Sequence, residues 1–500
     1  MKAWFLKHKE FAIFFICMIG VFLFHLCSYN RFGYYVDEIG SMYDAYCISN
    51  FGVDRWLQSY PIHFLNYGDG QSAIFVYILS FLFQLFGYEK WVIRLVPLFF
   101  HIMTIYFIGK WMGLYDKKLE KYGYIFSSIL PVFYLLFQFG LESHFMLSFS
   151  AAFLYFLCKG IKTQKSIDFL ISGIFAGLTF YTYVLSYIGI PIFLILFGIY
   201  LWKTKKISIK QILIFFLPVL CLGFPLLIVQ IINILNLESF TLLGITFPKF
   251  LIYRGNELGF SKFFSNLYET FIHTNFYENT VHLCIPTFGN IYYISIPFLM
   301  IGFISHCKKM KENEISAACI IWAISFYILA GLLQEDGSLT NTRLNALYLT
   351  KIPFLIEGIK ISLYALKKGK KWLNLGIVIS FSICFIGFMS FYFTKYDLNQ
   401  QSTLFLETYE DLPELEGTVY VPENYCYFLW SKKINPYDFN INENGYLSYQ
   451  NYRIGYQNLD THSYYVISKE DNISQDTLNQ FGYTNIKELK HFYIYKFQNF

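Results

Sequence analysis

Asp37 and Glu38 are adjacent carboxylates just past an apolar run long enough to cross a bilayer. Two acids at a membrane edge suit a general base that takes a proton from a hydroxyl. They could equally hold a divalent cation, although the sequence commits the chain to no cofactor, or form an ordinary water-facing acidic loop. Glu142 lies in Gly140-Leu141-Glu142-Ser143-His144, a short turn between two apolar runs. Between these acids runs YPIHFLNYGDGQS, residues 60–72, which contributes His63 and Gln71. Its glycines permit tight turns. Arg343, in Asn341-Thr342-Arg343-Leu344-Asn345, offers the donor fork that suits a phosphate. Lys351 lies two turns deeper in the same run, where an ionisable group is a functional candidate by default. Arg254 is a third cation, in a long polar loop. Tyr183, in Tyr181-Thr182-Tyr183, could line a sugar or lipid groove. The plainer readings are a structural histidine at 63, a solvated turn at 142, cations that snorkel to headgroups, and an aromatic belt around 183.

The elements that must carry these residues are membrane helices. Of the 500 residues, 55% are hydrophobic and only 15% are charged, against about 25% charged in soluble proteins. That excludes a soluble enzyme, a disordered chain and a nucleic-acid binder with a basic surface. Aromatics make up 22%, which suits lipid-facing surfaces. None of the 10 cysteines forms a Cys-x-x-Cys pair, and no metal site is predicted from them.

Eleven apolar runs are predicted to span, at 10–29, 92–113, 122–139, 145–160, 168–183, 185–202, 211–235, 291–306, 315–333, 345–366 and 373–393. A further run, 72–86, falls short of the roughly 20 residues a span needs. If it does not cross, six segments share one side: 1–10, 116–121, 159–165, 203–210, 308–311 and 367–371. Together they hold twenty lysines. Lysine excess marks the cytoplasm. The amino terminus is therefore expected inside, the carboxy terminus outside, and 72–86 as a helix at the outer interface. Loops 30–91 and 236–290 then face outward. Residues 394–500 turn polar, and GTVYVP, SYYVIS and HFYIYKFQ read as strands of a small external α/β domain, with Ser474 capping a short helix.

Several of these features resemble one family. An acidic pair follows the first span, here Asp37-Glu38. A Pro- and Gly-containing loop follows, Tyr60 to Ser72. An interfacial helix ends Leu85-Phe86-Gly87, and Arg94-Leu95-Val96-Pro97 enters the next span. A later external acid is Glu142. The order is similar to that of the GT-C glycosyltransferases, in the branch of protein O-mannosyltransferases and lipid A aminoarabinose transferases. Gly140-Leu141-Glu142-Ser143, Tyr181-Thr182-Tyr183 and Arg343-Leu344-Asn345 resemble an uncharacterised bacterial subgroup of it. The resemblance covers about residues 1–390. It departs in having Gln138 and Phe139 where the subgroup has a basic residue, and in lacking a His-Pro-Pro or Lys-Pro-Pro element.

The resemblance implies a GT-C-like membrane domain over 1–393 with about eleven spans, and an extracytoplasmic α/β domain over 394–500. It implies a polyprenyl-phosphate-linked sugar as donor, with its tail in membrane lipid, and an acceptor in the cell envelope. Asp37 matches the catalytic acid, with Glu38 and Glu142 orienting it or the acceptor. Arg343, Lys351 and Arg254 are expected at the phosphate, and His63, Gln71 and Tyr183 along the substrate path. A lipid-linked glycan flippase or polysaccharide transporter, without covalent chemistry, is the alternative. It would spread charged groups through the bilayer, whereas these acids cluster on one side.

Overall fold

The computed structural model describes residues 9–66, 69–253, 257–334, 339–366, 369–421, 424–441, 447–455 and 459–498. The first span is helix α1, Lys9–Ser28. Strand β1 (Tyr34–Tyr35) leads directly into helix α2 (Val36–Phe51), which stops where Gly52 turns left-handed at φ 71°. A hairpin of β2 (Phe64–Asn66) and β3 (Asp69–Gln71) follows. Helix α3 is Ile74–Phe86, the predicted interfacial segment, at 13 residues too short to span. Helix α4, Lys90–Tyr115, is long and apolar enough to cross a membrane.

The run at 122–139 differs from expectation. It is two helices, α5 (Glu120–Ser127) and α6 (Pro131–Phe137). Pro131 lacks the N–H a continuous helix needs there, and it begins the second piece instead. Helices α7 (Glu142–Thr163), α8 (Ser166–Thr179), α9 (Ser186–Lys203) and α10 (Ile209–Ile234) follow. The predicted span 168–183 ends early, because residues 180–185 form a turn. Beyond the hairpin β4 (Phe240–Leu242) and β5 (Ile245–Phe247) come helices α11 (Phe263–Asn275), α12 (Ile296–Lys309), α13 (Glu314–Leu332), α14 (Asn341–Leu344), α15 (Tyr348–Ala365) and α16 (Lys370–Thr394).

Among the described residues, seven helices are long and apolar enough to cross a membrane: α1, α4, α7, α9, α10, α13 and α16. The other four predicted spans hold helices that are broken (α5 and α6), short (α8 and α12), or, in α15, loaded with Lys351, Glu357 and Lys360.

The lysine-rich connections meet at one end of the bundle. Lys206 Nζ lies 2.9 Å from Glu314, Lys309 Nζ 2.5 Å from Glu357, and Lys360 Nζ 3.6 Å from Asp116. At another level of the bundle, Gln138 donates to the His282 carbonyl at 2.8 Å and Asn345 to the Ser143 carbonyl at 2.9 Å. This second set holds the turns that carry the candidate acids.

After α16 the chain forms a mixed sheet in the order β12-β13-β11-β7-β10-β9-β8. Its strands are β7 (Val419–Val421), β8 (Asn440–Ile441), β9 (Leu447–Tyr449), β10 (Tyr452–Ile454), β11 (Tyr464–Ser468), β12 (Tyr483–Glu488) and β13 (Phe492–Phe497). The three predicted strand segments supply β7, β11 and β13. Ser474 is not the helix cap. Asp471 caps helix Asn472–Gln480, accepting the Ser474 N–H at 3.0 Å.

This unit is clamped onto the segment before Asp37. Strand β6 (Phe405–Leu406) pairs antiparallel with β1, Tyr34 opposite Leu406 and Tyr35 opposite Phe405. Gly33 is required for the fit: a Cβ there would lie 2.2 Å from the Leu406 carbonyl oxygen. Helix Tyr425–Lys432 packs on α2. Tyr427 donates to the Tyr34 carbonyl at 2.7 Å and Tyr43 to the Ile434 carbonyl at 2.8 Å. Beneath them Arg55 and Asp44 form a wholly buried ion pair at 2.7 Å. Such a pair is tolerable out of water because its geometry is bidentate.

Candidate active site

Asp37 and Glu142 each lie in the first turn of a helix, α2 and α7. Helical backbone places a side chain more sharply than a loop does. Gln71, at the end of the β2–β3 hairpin, joins them. Its Nε2 lies 3.2 Å from the Asp37 carbonyl oxygen and 3.4 Å from Glu142 Oε2. Asn66, across the same hairpin, donates to Asp37 Oδ1 at 3.1 Å. Gly40 makes room for this: a Cβ there would sit 2.7 Å from the Asn66 side-chain oxygen. Glu142 is 8% exposed, while Asp37 is half-buried and is the more accessible acid. The charges of Asp37 and Asp69 both act on Glu142, so three carboxylates share one region.

Tyr35 borders this region. Burial, and then the charges of Asp37 and Glu142, push its phenol up, so it stays protonated and can only donate or stack. Tyr183 is close enough to act on the same phenol. Tyr35 packs on Phe139 at 4.8 Å, His282 at 5.2 Å and Phe405 at 5.3 Å between ring centroids. Burial lowers His282 to about 4, leaving it neutral. Phe405 brings the carboxy-terminal unit into the site's wall.

Glu38 sits behind the two acids. It is fully buried, ion-paired to Arg94, and accepts the Gly140 N–H at 2.6 Å and the Tyr35 N–H at 3.3 Å. Its hydrogen bonds tie together the backbone on either side of the acids. His63 lies beside the hairpin. It is 3% exposed, packs on Phe250 at 5.1 Å beneath the hairpin, and burial lowers it to about 4. It supports the hairpin from below.

Arg343 stands beside the acid-bearing turn. Its neighbour Thr342 bonds His144 at 2.9 Å and Asn345 bonds the Ser143 carbonyl, while Arg343 itself lies 3.9 Å from Glu257. Lys351 is buried and donates to Asn275 at 2.7 Å, so its hydrogen bond goes to α11 and not to the acids. Arg254 lies outside the described residues. Among the described residues, no three or more His, Cys, Asp or Glu side chains are grouped to hold a metal ion.

Four residues join the site that the sequence did not single out: Tyr35, Asn66, Asp69 and His282. Asn66 and Asp69 pair across the β2–β3 hairpin, and the glycines of GDG in the sequence are a turn signal there. Read that way, it would have predicted their pairing. Nothing local marks Tyr35 or His282.

An apolar cavity of about 770 Å³ begins two residues from Gln71. Ala73, Tyr77 and Phe81 of the interfacial segment line it, with Leu178, Tyr181 and Leu222 opposite. Phe81 is 60% exposed, so the cavity is open to the protein surface.

Residues 71–230 match the family model described as dolichyl-phosphate-mannose-protein mannosyltransferase. No curated protein sequence matches the chain. The structure of ArnT from Cupriavidus metallidurans bound to undecaprenyl phosphate aligns over 97% of both chains, with TM-score 0.51 and 9% identity. The fold is that of the GT-C membrane glycosyltransferases. A second GT-C structure, the archaeal oligosaccharyltransferase AglB from Archaeoglobus fulgidus with an inhibitory peptide and a dolichol-phosphate, aligns over 87% of this chain, with TM-score 0.52 and 12% identity. This chain covers 64% of AglB, less than two thirds of its length. The GT-C fold and the apolar helices make this a multi-pass membrane protein.

Proposed function

We propose that the protein transfers a sugar from a polyprenyl-phosphate donor to an acceptor hydroxyl on the external face, inverting the anomeric centre. The observation that carries this reading is Gln71, whose one amide group ties the Asp37 backbone to the Glu142 carboxylate. Two acids from distant segments thereby share a site at the edge of an apolar cavity. The donor's tail lies in that cavity and its phosphate reaches past Ala73 toward the acids. The ligands named with the two GT-C structures, undecaprenyl phosphate and dolichol-phosphate, have this chemistry.

In the reaction, the acceptor oxygen attacks the anomeric carbon as the bond from that carbon to the phosphate oxygen breaks. The electron pair leaves with the polyprenyl phosphate, which needs no proton to depart. The acceptor's proton passes to Asp37, the more exposed acid and so the general base. Asn66 holds one Asp37 oxygen and Glu142, with Asp69, orients the acceptor. Arg343, beside the Glu142 turn, neutralises the departing phosphate. The lysine-rich end of the bundle faces the cytoplasm and residues 394–500 lie outside.

The test is transfer of labelled sugar from synthetic polyprenyl-phosphate donors by the purified protein. Asp37→Asn keeps an acceptor for the Asn66 amide but removes the base. It should lower transfer about 10²- to 10⁴-fold without changing the unfolding temperature. Undiminished transfer by that variant rejects Asp37 as base. Movement of intact donor across vesicles without transfer rejects the enzyme.

A further inference from the structure

Helix α16 joins the bundle to the sheet unit, yet its buried residues are Phe381, Phe388 and Tyr392, none of them in its first eleven positions. Its first half stands away from α5 and α15. The space between is a cavity of about 930 Å³ at the lysine-rich end. Ile125, Phe126, Ile356 and Phe381 form its walls. Val378 lines it and is also 54% exposed, so the cavity opens sideways onto the bilayer.

The rim is strongly basic. Lys118, Lys121, Lys360, Lys370 and Lys371 line it against a single carboxylate, Asp116. Lys360 lies near Asp116, at 3.6 Å, and near Glu357. Among the described residues no carboxylate pairs with the other four. Lys121 and Lys370 instead sit over the rings of Tyr122 and Tyr364, at 4.8 and 4.3 Å. A ring face is a weak partner for an exposed ammonium, so these cations can swing to a better one.

We propose that this cavity binds an anionic glycerophospholipid of the surrounding bilayer, acyl chains between α16 and the bundle, headgroup phosphate on the lysines. Several features favour that occupant. An apolar trench open to the bilayer admits chains from the side. A basic pocket between membrane helices on the lysine-rich side recruits anionic headgroups. Free phosphate would leave the apolar walls uncovered. The site is separate from the Asp37–Glu142 region and does not depend on the activity proposed above.

Binding is measured on delipidated full-length protein in detergent, by native mass spectrometry. The probes are phosphatidylglycerol, phosphatidylcholine with the same chains, polyprenyl phosphate and inorganic phosphate. Each lysine near an anionic lipid contributes about 1 kcal/mol, so phosphatidylglycerol should be preferred over phosphatidylcholine by at least about tenfold. Lys118→Gln, Lys121→Gln, Lys370→Gln and Lys371→Gln combined should abolish that preference. Ser382→Trp, which fills the trench without altering charge, should exclude both phospholipids. Equal retention of the two lipids overturns the proposal, as does a preference that survives the four substitutions. Displacement of phosphatidylglycerol by an equal amount of polyprenyl phosphate makes the occupant a prenyl carrier and rejects the phospholipid. Displacement by inorganic phosphate alone rejects a lipid site.

Discussion

The Gly140 backbone N–H donates to Glu38 Oε1 at 2.6 Å, so the turn that presents Glu142 is bonded to the helix that presents Asp37. Arg94 is bound to the same Glu38 oxygen and also reaches the Gly33 carbonyl at 3.3 Å. One buried carboxylate thus aligns three segments that are far apart in sequence. The two candidate acids keep their spacing because a third, buried acid holds their backbones.

Glu38→Ala leaves Arg94 charged and unpaired in a buried position. Removing one partner of such a pair costs about 3–5 kcal/mol. Thermal unfolding in detergent should show a large drop. Replacing Arg94 as well should recover part of it. A variant as stable as the parent would show that the pair is not structural.

Gln71→Glu places another negative charge beside Asp37 and Glu142. A like charge disfavours ionisation of its neighbours. The acidic limb of the pH–rate profile should therefore move to higher pH, since Asp37 must be ionised to accept a proton. Gln71→Ala removes the bridge without the charge and should lower transfer without moving that limb. An unshifted limb in Gln71→Glu would separate Gln71 from the reacting base.

Gly33→Val pushes side-chain atoms into the Leu406 carbonyl and should unseat β6 from β1. The expected result is normal membrane insertion with transfer reduced at least about tenfold, since a misplacement of 1 Å can cost 10²-fold. Tyr427→Phe removes a single hydrogen bond to Tyr34 and should cost only about 1 kcal/mol of stability. Wild-type transfer by Gly33→Val would mean that the clamp is dispensable.

Glu278 is 2% exposed and accepts the Asn341 backbone N–H. Burial pushes its carboxyl up to about 8. In the unfolded chain it ionises near the ordinary glutamate value of 4.5. The folded state therefore holds a proton the unfolded state has lost, and its contribution to stability declines as pH rises from the lower value to the higher. Glu278→Gln removes this penalty. Its gain in unfolding temperature over the parent should be greater at about pH 9 than at about pH 5. An equal gain at both would place the proton elsewhere.

The helices were largely legible because apolar runs and lysine-rich connections follow from the bilayer's own chemistry. The chain's departures from that reading have local causes. Pro131 splits one predicted span into α5 and α6, and the turn at Phe180 shortens another. Asp37, Glu142 and Gln71 stood out by residue type and position, and the structure brings them together. The distinct surroundings of Asp37 and Glu38 did not, since adjacent residues on a helix point 100° apart and only packing shows which one meets Arg94. The Tyr34–Leu406 pairing was hidden for another reason. It joins two-residue strands some 370 positions apart, and no periodicity marks so short a strand.

That pairing also sets a timetable. The β6 strand leaves the ribosome only after every long helix of the chain has been made. Until then the segment ahead of Asp37 lacks its partner strand. A nascent or prematurely terminated product would sit in the bilayer with its helices in place and its two candidate acids not yet aligned.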